Sequence, residues 1–511
     1  MANNALILLI AFPIVGTIVA ALMKPGAMVR SWALLVSVAT LIASLVVLSG
    51  VMSGDPLSWG YDKPWANLPD LGFGVKLACD GVSVWLVLLT TLVTPLVILS
   101  VGKEIGEQPN GHWYYAWILL LMAALNGTFL AADGLLFYFF FELTLIPTLL
   151  LIGIWGGPER REAAGKFFIY TFAGSVFLLI SLIYVASKAG SFEIAMLVDA
   201  GQHSLSSTEL MWVGLGLLVG FLIKTPVFPL HTWQPLAYAE GPNAATVMLA
   251  AIMSKLGTYG LLRLTIPIAF TAPSNNAWIT EVVTVLCLIS IVYGGLIAWV
   301  QKDMIRLMAY SSLSHLGLCV LAIFATSTLS LQGAVMYMLA HGLSTAAILL
   351  VIGMIAARTR TRNIDEMSGL FAKMPVLSSL LVLFVMASIG LPITSGFVGE
   401  FLSLQGVMNH YGLGVTIIAA TGMVLGAIYM LHMVAKVGFG PLKAPEGSDL
   451  TDIGAREIGT LLPLAAAVLI VGITPTPILD SFKQDVATLA ADWKPKADTN
   501  TGPTMDDIFG N

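Results

Sequence analysis

Long apolar blocks separated by short polar connectors make up almost the whole of this 511-residue chain. A helix needs roughly 20 apolar residues to cross the hydrocarbon core of a bilayer. About fourteen segments meet that rule: 4–23, 31–52, 80–101, 113–131, 134–155, 167–188, 210–230, 244–266, 279–300, 305–326, 330–356, 374–407, 412–438 and 459–474. Two of them are interrupted. Pro226 and Pro229 remove backbone donors and break the seventh. The run Gly390-Leu391-Pro392-Ile393-Thr394-Ser395-Gly396 breaks the twelfth. The pattern predicts an all-α polytopic membrane protein with two discontinuous helices. The breaks lie five segments apart, which predicts two five-helix repeats, and an odd repeat length inverts one copy in the membrane. On this reading the chain divides into residues 1–112 (three spans and an outer loop), 113–270 (first repeat), 271–440 (second, inverted repeat) and 441–511 (last span and tail).

Composition supports the same class. Charged residues make up 10% and hydrophobic ones 57%, and the mean hydropathy is +0.89, too little polar surface to coat a water-soluble globule. Lys and Arg divide about fifteen against seven between alternate connectors, with Lys224 and Lys255 left inside the apolar segments. By the positive-inside rule the richer side is cytoplasmic, and an even number of spans places both termini outside. Net charge of −5 gives no reason to expect nucleic acid as a partner. The segment Ala5–Met23 lacks a basic stretch before its apolar run, so it reads as a retained first helix and not a signal peptide. The outer loop 53–79 has room for a hairpin or short helix, and an amphipathic piece is expected over Ile478–Trp493, before a polar end.

Six ionisable residues sit where charge is costly: Glu142, Lys224, Lys255, His315, His341 and Glu400. A charge near the bilayer centre costs at least about 2.5 kcal/mol, so such residues usually mark an ion or proton route. Glu142 needs a cation nearby to stay ionised, and Lys224, beside the proline break, is the natural candidate; the alternative is a static pair that fixes helix packing. Lys255 lies about a dozen residues into the eighth segment, too deep to reach water readily, and a lone buried lysine suits loading and release of a proton. Histidine both donates and accepts across its ring; His315 stands among Ser311, Ser312 and Ser314, and His341 beside Ser344 and Thr345. Either histidine could instead be a hydrogen-bonded packing residue. His231 and Glu240 follow the seventh break and fit either proton uptake or a plain surface role. Asp133 begins a segment, where helix capping accounts for it. Cys79, Cys287 and Cys319 are too scattered for a metal or iron–sulfur site, and there is no P-loop, nucleophile elbow or haem-attachment motif.

Several of these residues lie in motifs that resemble one family. Asp80–Val84 (DGVSV), Leu136–Pro147 (LFYFFFELTLIP), Lys224–Trp233 (KTPVFPLHTW), Lys255–Arg263 (KLGTYGLLR), Met308–Gly317 (MAYSSLSHLG) and Thr394–Leu402 (TSGFVGEFL) are similar, in order and over nearly the full length, to the antiporter-like membrane subunits of NADH:quinone oxidoreductase, respiratory complex I. Glu400 fits the branch that carries glutamate there; the related branches and the multisubunit sodium/proton antiporters commonly carry lysine. The resemblance implies a proton-translocating subunit of a bacterial inner membrane. Glu142 and Lys224 would then pair in one half-channel, Lys255 would be the central carrier, and His315 and His341 would lead to Glu400. It also implies neighbouring antiporter-like subunits and lipid as partners. No cofactor is expected in this chain; NADH, FMN, iron–sulfur clusters and quinone belong to partner subunits. The alternatives are a subunit of a sodium/proton antiporter, or of a membrane-bound hydrogenase or formate hydrogenlyase. Two departures stand out. After His231-Thr232-Trp233 the family usually continues Leu-Pro-Asp-Ala-His, but here Leu236 and Tyr238 take the aspartate and histidine positions. Ile393 occupies a usual glycine position, which predicts a stiffer hinge.

Overall fold

The computed structural model describes residues 2–54, 57–61, 74–270 and 277–492. Inside a bilayer, backbone N–H and C=O groups must find partners within the segment, so long apolar blocks become helices. Thirteen helices among the described residues are long and apolar enough to cross: Ala2–Leu22, Ala27–Met52, Gly81–Ser100, Gly111–Leu130, Gly134–Trp155, Arg160–Ala189, Ser207–Lys224, Asn243–Ala269, Ala277–Val300, Met304–Phe324, Thr328–Thr359, Ser395–Gly438 and Ala455–Ile473. The twelfth of these has 44 residues, about 66 Å of helix against a hydrocarbon core of about 30 Å. Gly412, at φ 77°, divides it. Its first part completes a crossing begun by the shorter Pro375–Ser388, and its second part is a span of its own. Fourteen crossings result, two of them broken, as the apolar pattern predicts.

The sixth span starts seven residues before the apolar block because Arg160, Arg161 and Glu162 extend the helix into the polar connector. The seventh runs over Ser207–Lys224, breaks, and resumes as Gln234–Glu240. The breaks at 225–233 and 389–394 lie in spans that cross in opposite directions.

Contacts between connectors keep to two faces. On one, strands β1 (Leu57–Tyr61) and β2 (Val75–Cys79) form the antiparallel hairpin for which the outer loop has room. On that face Lys76 pairs with Glu193 at 2.7 Å and Lys188 with Glu209 at 2.9 Å. The tail helix Thr476–Asp492 lies there too. Trp85 Nε1 donates to Ser481 Oγ (2.8 Å) and the Gly81 N–H to Asp485 Oδ2 (2.8 Å). A Cβ on Gly81 would fall 2.6 Å from the Ser481 carbonyl carbon, so only glycine lets this helix settle. On the other face Asp303 bridges Asn363, Ser368 bridges Lys443, Arg362 pairs with Asp303 and Arg358 with Glu457. Among the described residues, no ion pair joins the two connector sets. Lys63, Trp493, Lys494 and Lys496 lie outside the described residues.

The eighth, tenth and eleventh spans form the interior. The most apolar stretch of the eighth is wholly buried, and those of the tenth and eleventh 94% so, against 39% or less for the first, second and sixth. The six costly residues sit on or beside this interior.

Candidate functional site

Lys224 closes the first half of the seventh span, and the break after it is held by substitutes for helical hydrogen bonds. Trp233 Nε1 donates to the Ile223 carbonyl (3.1 Å), and the Phe228 N–H to Ser290 Oγ (2.9 Å). A Cβ on Gly257 would fall 2.6 Å from the Phe221 carbonyl oxygen, so the seventh and eighth spans touch backbone to backbone one turn before the break. Lys224 is buried; its Nζ donates to Thr144 Oγ1 (3.0 Å) and stands 4.7 Å from the centre of the Phe141 ring. No salt bridge closes between Lys224 and Glu142 among the described residues. Glu142 is half-buried, with one buried carboxyl oxygen lacking a protein partner. The expected ion pair is therefore not closed here: Thr144, not Glu142, accepts from the Lys224 ammonium.

Lys255 occupies a seven-residue α-helical stretch, Ser254–Gly260, between two π-helical stretches, Leu249–Met253 and Leu261–Thr265. Such bulges open the regular hydrogen-bond ladder and are frequent at functional sites. Its side chain is 0% exposed. Nζ donates to the Ala250 carbonyl (2.9 Å), to Ser254 Oγ (3.2 Å) and to His341 Nδ1 (2.8 Å). No carboxylate among the described residues closes an ion pair with it.

From His341 the polar path continues along the eleventh and tenth spans. The His341 ring lies 5.6 Å from that of His315, centre to centre, and His341 Nε2 is 3.4 Å from Thr345 Oγ1. His315 Nδ1 hydrogen-bonds the hydroxyl of Tyr337, which donates to Glu400 Oε1 (2.9 Å). The second histidine nitrogen faces Tyr429 Oη at 3.3 Å, and Tyr429 in turn meets Ser311 Oγ at 2.9 Å. Glu400 is 1% exposed, immediately after the twelfth break, and its second oxygen has no protein partner. Lys255, His341, His315 and Glu400 are thus one buried cluster, with Lys224 and Glu142 a second cluster across the contact of the seventh and eighth spans.

Tyr337, Tyr429 and Thr144 escape motif reading because each looks like an ordinary membrane hydroxyl. Tyr337 did carry a signal: it is four residues before His341, and residues so spaced share a helix face. Asp133 caps the fifth span through the N–H groups of Leu135 and Leu136, which bears out its capping role. His231 is buried among Phe228, Tyr293 and Tyr310, with Nδ1 unpaired. Glu240 is also buried and accepts the Glu159 N–H at 2.8 Å, so a surface role fits neither. Gln234 and Tyr238, in the divergent stretch, are fully buried.

The profile of one family, described as NADH:quinone oxidoreductase/Mrp antiporter, transmembrane, matches residues 131–426. NADH-quinone oxidoreductase subunit M of Rickettsia felis is 37% identical over 462 residues, covering 89% of this chain and 91% of the relative. The subunit of that name from Rhodobacter capsulatus is 37% identical over 472 residues, covering 90% of each. A chain of respiratory complex I from Thermus thermophilus, solved with NADH bound, superposes with a TM-score of 0.85 at 28% identity, over 97% of this chain and all of that one.

Proposed function

The chain belongs to the NADH:quinone oxidoreductase/Mrp antiporter family, and from that premise we infer that it works as the antiporter-like, proton-translocating subunit M of a bacterial respiratory complex I. It is a multi-pass membrane protein whose partners are the other subunits of that complex. NADH, FMN, iron–sulfur clusters and quinone are assigned to those partners, so the work of this chain is to move protons when they turn over. The basic connectors place the Asp303, Asn363 and Arg358 face in the cytoplasm and the β-hairpin face outside.

Lys255 is the central carrier. The observation that carries this reading is its burial among neutral partners only: the Ala250 carbonyl, the Ser254 hydroxyl and the His341 ring. All of its partners are neutral, so no fixed counter-ion ties the ammonium in place, and His341 Nδ1 stands within reach of its proton. The Lys224–Glu142 pair sets when that proton moves. With Lys224 on Thr144 the pair is open and its positive charge stands uncompensated. Closing the pair to about 4 Å would be worth about 4 kcal/mol of mutual attraction at an effective dielectric constant near 20, set against the Thr144 hydrogen bond that closing gives up. Opening and closing the pair changes the positive charge that Lys255 faces across the contact of the seventh and eighth spans, and this is how the first cluster acts on the second. The proton then passes to His315 and Glu400, beside the second break.

Lys255→Ala in the assembled complex tests this reading. Reconstituted in proteoliposomes, it should oxidise NADH with quinone yet lose most proton pumping, read with a pH-sensitive dye. Wild-type pumping would remove Lys255 from the centre of the path.

A further inference from the structure

Resting on that reading, we propose that Tyr337 is a proton-transferring residue, the hydroxyl through which His315 and Glu400 exchange a proton. One oxygen touches both ends. Tyr337 Oη hydrogen-bonds His315 Nδ1 and donates to Glu400 Oε1 at 2.9 Å, whereas the direct separation of His315 Nδ1 and Glu400 Oε1 is 3.5 Å. The direct approach lies at the limit of a hydrogen bond, and the bridged one is well within it.

The two tyrosines on His315 differ in where they lead. Among the described residues Tyr429, on Nε2, passes to Ser311 and no further. Tyr337, on Nδ1, passes to the one buried carboxylate of this cluster. Because the Tyr337 hydrogen points at Glu400, its oxygen lone pairs face His315. The bridge therefore accepts from a protonated Nδ1 and donates to the carboxylate at once. In the step, the N–H bond of His315 breaks as a new O–H bond forms on Tyr337, and the original Tyr337 O–H bond breaks as a new one forms on Glu400. A charged histidine and carboxylate become two neutral groups, and the phenol is neutral before and after. Rotation of the hydroxyl then resets the bridge.

The backbone is shaped for this contact. Gly399 precedes Glu400, and a Cβ there would lie 2.6 Å from Tyr337 Cα and 2.7 Å from its nitrogen. Only a glycine brings the restarting half of the twelfth span close enough to the eleventh for a tyrosine to span the gap. Tyr337 is 3% exposed, so bulk water cannot substitute freely for its hydroxyl.

The test uses intact complex in proteoliposomes carrying Tyr337→Phe, which removes only the hydroxyl, with Lys255→Ala as reference. Pumping per NADH oxidised should fall at least about tenfold, a modest demand for a lost proton-transfer group. In infrared difference spectra the protonated-carboxyl band assigned with Glu400→Gln should lose amplitude, because the proton no longer arrives through the phenol; a hydrogen bond that only packs the two would shift its frequency and leave its amplitude. If Lys255→Ala abolishes pumping while Tyr337→Phe pumps at the wild-type rate, transfer is direct and the bridge is refuted alone. If Lys255→Ala itself pumps normally, the parent reading falls. Should Tyr337→Phe fail to assemble, difluorotyrosine at 337, similar in size and a stronger donor, takes its place. The pumping profile should then move toward lower pH, and an unmoved profile overturns the proposal.

Discussion

Lys255 Nζ and His341 Nδ1 are 2.8 Å apart, although 86 positions separate them in the chain and each is buried in a different span. The ammonium has only donors, so His341 Nδ1 is the acceptor, which leaves Nε2 to carry the ring proton toward Thr345. With Lys255 as the ammonium this selects one tautomer, and on the proposed path His341 is the first acceptor on the way to Glu400. His341→Ala should cut pumping at least about tenfold while the complex still assembles. Should dye-quench assays on proteoliposomes give more than half the wild-type rate, Lys255 must discharge by another route.

Thr144 accepts from Lys224 where the expected ion pair would have Glu142. A hydrogen bond to a charged group is worth about 1.5–3 kcal/mol, so Thr144→Val should bias the pair toward its closed state. Pumping should slow by about tenfold in that variant. Glu142→Gln should abolish the coupling outright, and Glu142→Asp should retain a part of it. Equal activity of Thr144→Val and wild type in the same assay would show that the threonine contact does not set the pair.

The order of spans, both breaks and the six costly residues were legible because each rests on a local signal: block length, a proline or glycine run, or an ionisable residue in an apolar setting. The limits of the sixth and seventh spans were less so, since polar residues such as Arg160 and Glu209 extend helices past their apolar blocks. The distance of Glu142 from Lys224 was hidden because it depends on Thr144, a neighbour that no spacing rule ties to Lys224. Tyr429 was hidden for the same reason, and the four-residue spacing of Tyr337 from His341 pointed to a shared face but not to Glu400. Their roles come from packing between the tenth, eleventh, twelfth and thirteenth spans, where Gly399 sets the approach and hydroxyl identity alone says nothing.

Ile393 stands in the twelfth break at φ 73°, in the left-handed region, with its side chain 64% exposed. A β-branched residue pays about 1–2 kcal/mol there, while glycine adopts that φ freely but loses about 0.5–1 kcal/mol in chain entropy. Ile393 therefore strains the backbone of the break. Ile393→Gly should raise stability by a net of roughly 0.5–1 kcal/mol, seen as a higher midpoint of thermal inactivation of the solubilised complex. A lower midpoint would mean that the isoleucine makes a compensating contact.

Asp80 does two separable things at the outer end of the third span. Its carboxylate caps the helix through the N–H groups of Val82 and Ser83 at 3.1 and 2.9 Å, and it pairs with Arg263 of the eighth span. Asp80→Asn keeps the cap and loses the charge; Asp80→Ala loses both. Both side chains are half-buried, so removing one partner costs more than the about 0–1 kcal/mol of an exposed pair and less than the about 3–5 kcal/mol of a fully buried one, and a lost cap adds about 1 kcal/mol. Both variants should lower the yield of assembled complex on native gels, the alanine more than the asparagine. Normal yield from Asp80→Asn would show that Arg263 finds another anion.

Asp485 couples the tail helix to this same pair. It is held above the usual carboxylate range by burial and by the negative charge of Asp80, against the opposing pull of the Gly81 N–H and Arg263. An acid whose folded value is raised binds its proton more tightly when folded. Its stabilising contribution is complete below the unfolded value, about 3.9, and is lost as pH rises through the raised folded value. Docking of Thr476–Asp492 should therefore tighten as the outer compartment is acidified into that window, the direction in which pumping drives it. Hydrogen exchange of residues 476–492, compared over this range and corrected for intrinsic rates, should show greater protection at the lower pH. Asp485→Asn, which cannot titrate, should remove the dependence while preserving an acceptor for Gly81. A dependence that persists in Asp485→Asn would move the titrating group elsewhere.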